Sequence, residues 1–227
     1  DGDDIYIAAS DELFCFNRDF NLQHSRRNRY LKHCHEICRM GRKLLLTSTG
    51  HDSLLAYDLD EKAFTWGFHL QKIADEWSGF TFDPRRSSGP AKHNEHHINM
   101  VHVDSNGIFL SGLRTNALLH LTHDHKVQVV CSLPTGTHNA RPYRDGVIFN
   151  DTASDHVRFV SRERGQRGFK IKQYESGEIH FAGIDDSKIA RQAFGRGLCV
   201  YEDRLLIGGS SPSTISLYDI VSGDTIG

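Results

Sequence analysis

The 227-residue chain lacks any apolar run able to cross a bilayer. Runs such as Leu44–Leu46 and Val147–Phe149 fall far short of the roughly 20 residues a spanning helix needs. No secretory leader is visible, although the chain opens on Asp1 without an initiator Met, which leaves room for a preceding segment. Cysteine is sparse and odd in number. Five residues, at positions 15, 34, 38, 131 and 199, form no CxxC pair, which argues against a disulfide framework and for a reducing, cytoplasmic setting. Cys34 and Cys38 bracket His35 and so raise a metal hypothesis, but small buried hydrophobes on a strand are the expected reading. No sign of charge dominates either: 27 Lys and Arg against 29 Asp and Glu give a formal charge of −2. That balance offers no electrostatic case for nucleic acid or an acidic membrane as partner. Walker, GxSxG and HExxH sequences are absent, and "GRG" at 195–197 is too short for a phosphate loop.

Helical periodicity is also scarce. Short β-rich runs bounded by Gly, Asp, Asn and Ser take its place, the pattern of many short strands. Self-comparison exposes a unit of three strands joined by polar turns. The clearest copy is "HEICRMGRKLLLTSTGHDSLLAYDLD" at 35–60. Others occupy 97–124, 138–163 and 196–223, and an incomplete copy at 4–19 has only the second and third strands. Strand triplets at this spacing predict an all-β fold, a β-propeller of five blades with about four strands each. One domain over 1–227 is expected, its ring closed by strands from both chain ends. Insertions at 71–95 and 175–195 each feed an inner strand, so both are expected to border one mouth of the ring. The basic runs "SRRNR" (25–29) and "SRERGQRGFKIK" (161–172) match outer strands and read as solvated faces.

What the chain has in abundance is histidine, with 15. Counting back nine residues from Leu44, Val147 and Leu205 gives His35, His138 and Arg196; the turn before Ile108 is two residues longer, and counting back eleven gives His97. Equivalent inner-strand positions of a propeller ring its axis. Three imidazoles there suit one divalent cation with open coordination positions, a catalytic rather than a structural layout. Arg196 adds a fixed fork for a carboxylate or phosphate. Glu36, Asn139 and Asp151 lie beside these residues in sequence and are candidates for acid, base or substrate-orienting roles. His33 is a reserve ligand. His93 and His96 read as loop residues, and His120, His123 and His125 as surface. A blade-start His that caps a strand or bonds a neighbouring blade is the competing, purely structural reading.

The segments "HHINMV", "LPTGTHNARPYRDGVIFNDTASDHVRFV" and "FGRGLCVYEDRLLIGGS" resemble a family of propeller-like proteins known mainly as a domain of unknown function. The resemblance spans about 96–219 and implies the fold without an activity. By constellation alone the layout is similar to metal-dependent propeller lyases, including the peptidyl-hydroxyglycine amidating lyases, whose zinc is held by three His beside a substrate-binding Arg. The expected function is therefore a metal-dependent lyase or hydrolase acting on a small anionic substrate. Zinc is the expected metal at His35, His97 and His138, with Arg196 as anchor. Iron or copper would instead give oxygen chemistry, and a non-catalytic small-ligand or sugar-binding module is the alternative.

Overall fold

The computed structural model describes residues 2–163, 165–178 and 190–227. Among them regular structure is almost wholly extended, with single 3-10 turns at Thr49–His51 and Ser176–Glu178. The chain divides into two compact units, Asp1–Leu133 and Pro134–Gly227.

The first unit holds three antiparallel sheets whose strands pair in chain order. The first comprises β1 (Ile5–Ala9), β2 (Glu12–Phe16) and β3 (Leu22–Arg27). The second comprises β4 (Ile37–Met40), β5 (Lys43–Ser48), β6 (Ser53–Asp58), β7 (Ala63–Ile73) and β8 (Glu76–Phe82). The third comprises β9 (Ile98–Asp104), β10 (Gly107–Gly112), β11 (Ala117–Leu121) and β12 (Val127–Ser132). The second unit has two sheets: β13 (Thr137–Tyr143), β14 (Gly146–Asp151), β15 (His156–Ser161) and β16 (Gly165–Lys170), then β17 (Gly195–Tyr201), β18 (Leu205–Ser210) and β19 (Thr214–Asp219). Each sheet corresponds to one copy of the sequence repeat, and the basic runs fall on outermost strands β3 and β16, as expected.

The unbroken apolar runs "LLL" and "LLAY" follow from burial on both faces of a strand, because successive side chains point to opposite sides. On β5, Leu45 enters one core with Leu54, Phe68 and Leu110, while Leu44 and Leu46 enter another with Leu13, Leu31 and Tyr57. On β6 the alternation repeats: Leu54 and Ala56 face the first core, Leu55 and Tyr57 the second. Leu45, Leu46, Leu54 and Leu55 are fully buried, each contributing on the order of 2 kcal/mol. The second unit has its own core around Ile148, Phe159, Phe169, Leu206 and Tyr218.

The insertion at 71–95 is not a loop throughout. Its first half prolongs β7 and returns as β8 through Ala74 and Asp75, both with positive φ (49° and 68°), as a two-residue type I′ hairpin turn demands. The second half, after Phe82, runs irregularly to β9. Of the insertion at 175–195, residues 179–189 lie outside the described residues. All five cysteines are free, and no helix among the described residues is long and apolar enough to cross a membrane.

Candidate functional site

In the first unit the structure brings His35 and His97 together, their ring centroids 5.2 Å apart at 60°. His35 leads into β4. It is placed by Thr47 on β5, a fully buried residue whose hydroxyl accepts the amides of His35 and Glu36, each at 3.0 Å. His97 immediately precedes β9 and has φ 54°, a left-handed conformation that costs a non-glycine residue about 1 kcal/mol or more. Its surroundings force it. Buried Asp52 accepts the amides of Glu95 at 2.6 Å and His96 at 3.0 Å, while Arg114 donates to the carbonyls of Glu95 and Asn94, both at 2.6 Å. Gly112 completes the grip, because a Cβ there would stand 2.6 Å from the carbonyl oxygens of His96 and His97. The His97 Nδ1 lies 3.1 Å from Asn94 Oδ1. An Nδ1–H donated to that oxygen leaves Nε2 as the basic nitrogen.

No local motif marks Asp52, Thr47 or Arg114 in the sequence. The signal for Asp52 was its recurring place at the turn after the second strand, where Asn116 and Asp155 are its counterparts. His96 also differs from expectation. It is buried at 6% exposure and meets the edge of Trp77 at 4.8 Å, so the β8 hairpin packs on the segment that carries His97. His93 is exposed, as a loop residue should be, and so is His33. Cys34 and Cys38 behave as partly buried hydrophobes, and burial pushes the Cys34 thiol up to about 11, away from thiolate chemistry.

In the second unit His138 and Arg196 meet around Phe194. His138 presents its ring to Phe194 edge-on at 5.2 Å, and the Arg196 guanidinium carbon lies 5.2 Å from the same ring centre. His138 is buried, with Nδ1 3.2 Å from the Gly136 carbonyl. Arg196 is exposed and pairs with no carboxylate among the described residues. The neighbouring Arg191 also lies over Phe194, at 6.0 Å, but it is held by Asp155 at 2.6 Å. Two other candidates have structural tasks. The Asn139 carboxamide oxygen accepts the Gly197 amide and the Asn150 side chain, both at 3.0 Å. Asp151 is buried and bonded by Arg158 at 2.6 Å. Burial opposes its ionisation, yet hydrogen bonds from Ser154 and Arg158 outweigh that and hold its carboxyl below the usual range. Glu36 is half-buried, its backbone tied to Thr47.

Equal counting did not give equal register. His35 lies beside Thr47, His138 opposite Asn150, Arg196 against Gly209, and the His97 carbonyl accepts the Leu113 amide. Measured from the start of each second strand, these levels differ by up to two ladder steps. The β9–β10 turn, Ser105–Asn106, is as short as Gly41–Arg42 between β4 and β5, not two residues longer, so counting back eleven carries His97 too far. One-residue irregularities present in the β9–β10, β13–β14 and β17–β18 pairings but not in β4–β5 shift the levels further, and a bulge is invisible to residue counting. Among the described residues, no group of three or more His, Cys, Asp or Glu is placed to hold a metal ion.

The fold these sheets define is that of a five-bladed β-propeller. Solved structures similar to it include a streptogramin B lyase (8% identity, TM-score 0.54, covering 97% of this chain and 66% of that one). A virginiamycin B lyase from Staphylococcus aureus matches at 9% identity and TM-score 0.53, over 96% of this chain and 80% of that one. The WD40 β-propeller domain of Doa1 matches at 10% identity and TM-score 0.57, over 100% of this chain and 64% of that one. The chain thus spans about two thirds of the length of the first and third. Identities this low show the fold alone. No protein-family model matches the chain, and no curated protein matches it in sequence.

Proposed function

We propose that this propeller is a divalent-metal-dependent enzyme of lyase type acting on a small anionic substrate. The carrying observation is the His35–His97 pair. Two imidazoles on one tetrahedral cation, each about 2.0–2.1 Å from the metal, put their ring centres about 5 Å apart, and the observed separation is 5.2 Å. A cation held by two protein nitrogens keeps positions for water and a substrate oxygen, where it acts as a Lewis acid. Zinc suits these donors, and imidazole also accepts iron or copper. Arg196, on the face of Phe194 and without an acidic partner among the described residues, supplies a fork for a carboxylate or phosphate. Two similar propellers bear the name lyase, which favours elimination over hydrolysis as the first chemistry to assay.

Zinc titration by calorimetry tests the reading. Native protein should bind about one equivalent, and His35→Ala or His97→Ala should weaken binding at least tenfold. The expectation that His138 is a further donor is read by the same titration on His138→Ala. Arg196→Lys should keep the metal and lose affinity for anions, because a point charge does not reproduce the bidentate fork. Equal zinc binding by native protein and the His35/His97 double variant would overturn the metal assignment. The second reading is then a non-catalytic anion-binding propeller centred on His138, Phe194 and Arg196. The absence of a three-donor group among the described residues favours that alternative.

A further inference from the structure

The first unit contains a cleft of about 340 Å³ that the histidine pair does not use. It lies where the second and third sheets meet, walled by Met40, Ala56, Trp66, Val103 and Ile108, with Lys43 at its border. Met40 and Val103 stand toward the far ends of β4 and β9. At about 3.3 Å per residue the cleft is therefore roughly 15–20 Å from His35 and His97. Met40, Trp66, Val103 and Ile108 pack against the buried core but are only partly covered themselves. Trp66 stands beside the His125 ring at 6.2 Å and 32°, so one wall is flat and aromatic.

Charge decides what fits. Among the described residues Lys43 makes no ion pair within 4 Å, and its charge reaches the Asp58 carboxylate only at longer range. Asp58, its opposite neighbour in the ladder, already accepts the amides of Asp60 and Glu61 at 3.0 and 3.1 Å. The acid that does line the cleft, Asp104, is turned to the Asn106 amide, which it accepts at 2.7 Å. We infer that this cleft is a second small-molecule site for a planar aromatic anion, its ring against Trp66 and its carboxylate at Lys43. The volume lies in the range of small-ligand pockets and admits a fused two-ring acid. Burial of the ring provides most of the affinity, and the ammonium provides the discrimination.

Calorimetry with 2-naphthoate and its neutral analogue 2-naphthamide separates these contributions. The acid should bind the native protein about fivefold more tightly than the amide, and Lys43→Met should equalise the two. Val103→Phe fills the cleft and should abolish both, with an unchanged circular dichroism spectrum. If that variant does not fold, Trp66→Leu should weaken both ligands at least tenfold. His35→Ala and His97→Ala should leave both titrations as they were, so this site is judged independently of the metal. Equal affinity of acid and amide for the native protein would overturn the proposal. So would binding that survives the filled or Trp66-deleted cleft.

Discussion

At the scale of single residues, the candidate site depends on side chains that touch no ligand themselves. Asp52 has a fully buried carboxylate facing the amides of Glu95 and His96, and these fix the left-handed His97 beside His35. Asp52→Asn keeps the shape but turns an amide donor toward backbone donors. It should cost about 2–3 kcal/mol, the range for hydrogen bonds to a charged group, and lower zinc affinity as well. Thermal unfolding and zinc titration of the one variant check both effects; unchanged zinc affinity in a destabilised protein would leave Asp52 a purely structural role. Two further histidines, His51 and His69, are held below their usual pKa mainly by burial, and the His69 ring lies 2.8 Å from the His51 carbonyl. Their unfolded forms therefore take up protons at a higher pH than their folded forms. Stability is fully present above about pH 6.5 and is lost as pH falls through the depressed folded values. Urea unfolding at pH 7.5 and 5.5 should show a lower midpoint in acid, and His69→Gln should narrow the difference.

At the scale of strands and turns, the repeat has a backbone signature that residue identity half reveals. Asp52, Asn116, Asp155 and Ser213 follow the second strand of their sheets with φ of 42°, 51°, 59° and 62°. The carbonyls of the first three accept the amides of Leu70, Leu133 and Ile171. Asn and Asp tolerate this conformation better than other side chains, which is why the turn was legible as polar. Asn116→Gly should be nearly neutral, whereas Asn116→Ala should cost about 1 kcal/mol; chemical denaturation of the pair measures the difference. The inner strands were less legible. Counts of nine, and of eleven for His97, placed His35, His97, His138 and Arg196 at one level. But the β9–β10 turn is no longer than the β4–β5 turn, and bulges add a residue without changing residue type, so the ladders put them up to two steps apart. Nor did composition announce the β7–β8 hairpin within 71–95, because its turn, Ala74–Asp75, lacks the Asn-Gly or Asp-Gly signal of such turns.

For the whole molecule, the five-sheet propeller was readable because every repeat copy carries the same alternation of apolar strand and polar turn, and each copy became one sheet. The separation into two compact units was not readable, since the repeat continues through Leu133 and Pro134 without a change in composition. The separate cores suggest that unfolding is not all-or-none. Both tryptophans of the chain, Trp66 and Trp77, belong to the first unit, so their fluorescence reports on that unit, whereas far-UV circular dichroism reports on strands of both. Phe159 sits in the second core at 2% exposure, and Phe159→Ala should cost about 3–5 kcal/mol. In urea, this variant should lose part of its dichroism at a lower concentration than native protein while the tryptophan midpoint stays put. Leu55→Ala, in a core of the first unit, should instead move the fluorescence midpoint. A single transition in which Phe159→Ala shifts both probes equally would mean that the two units unfold as one.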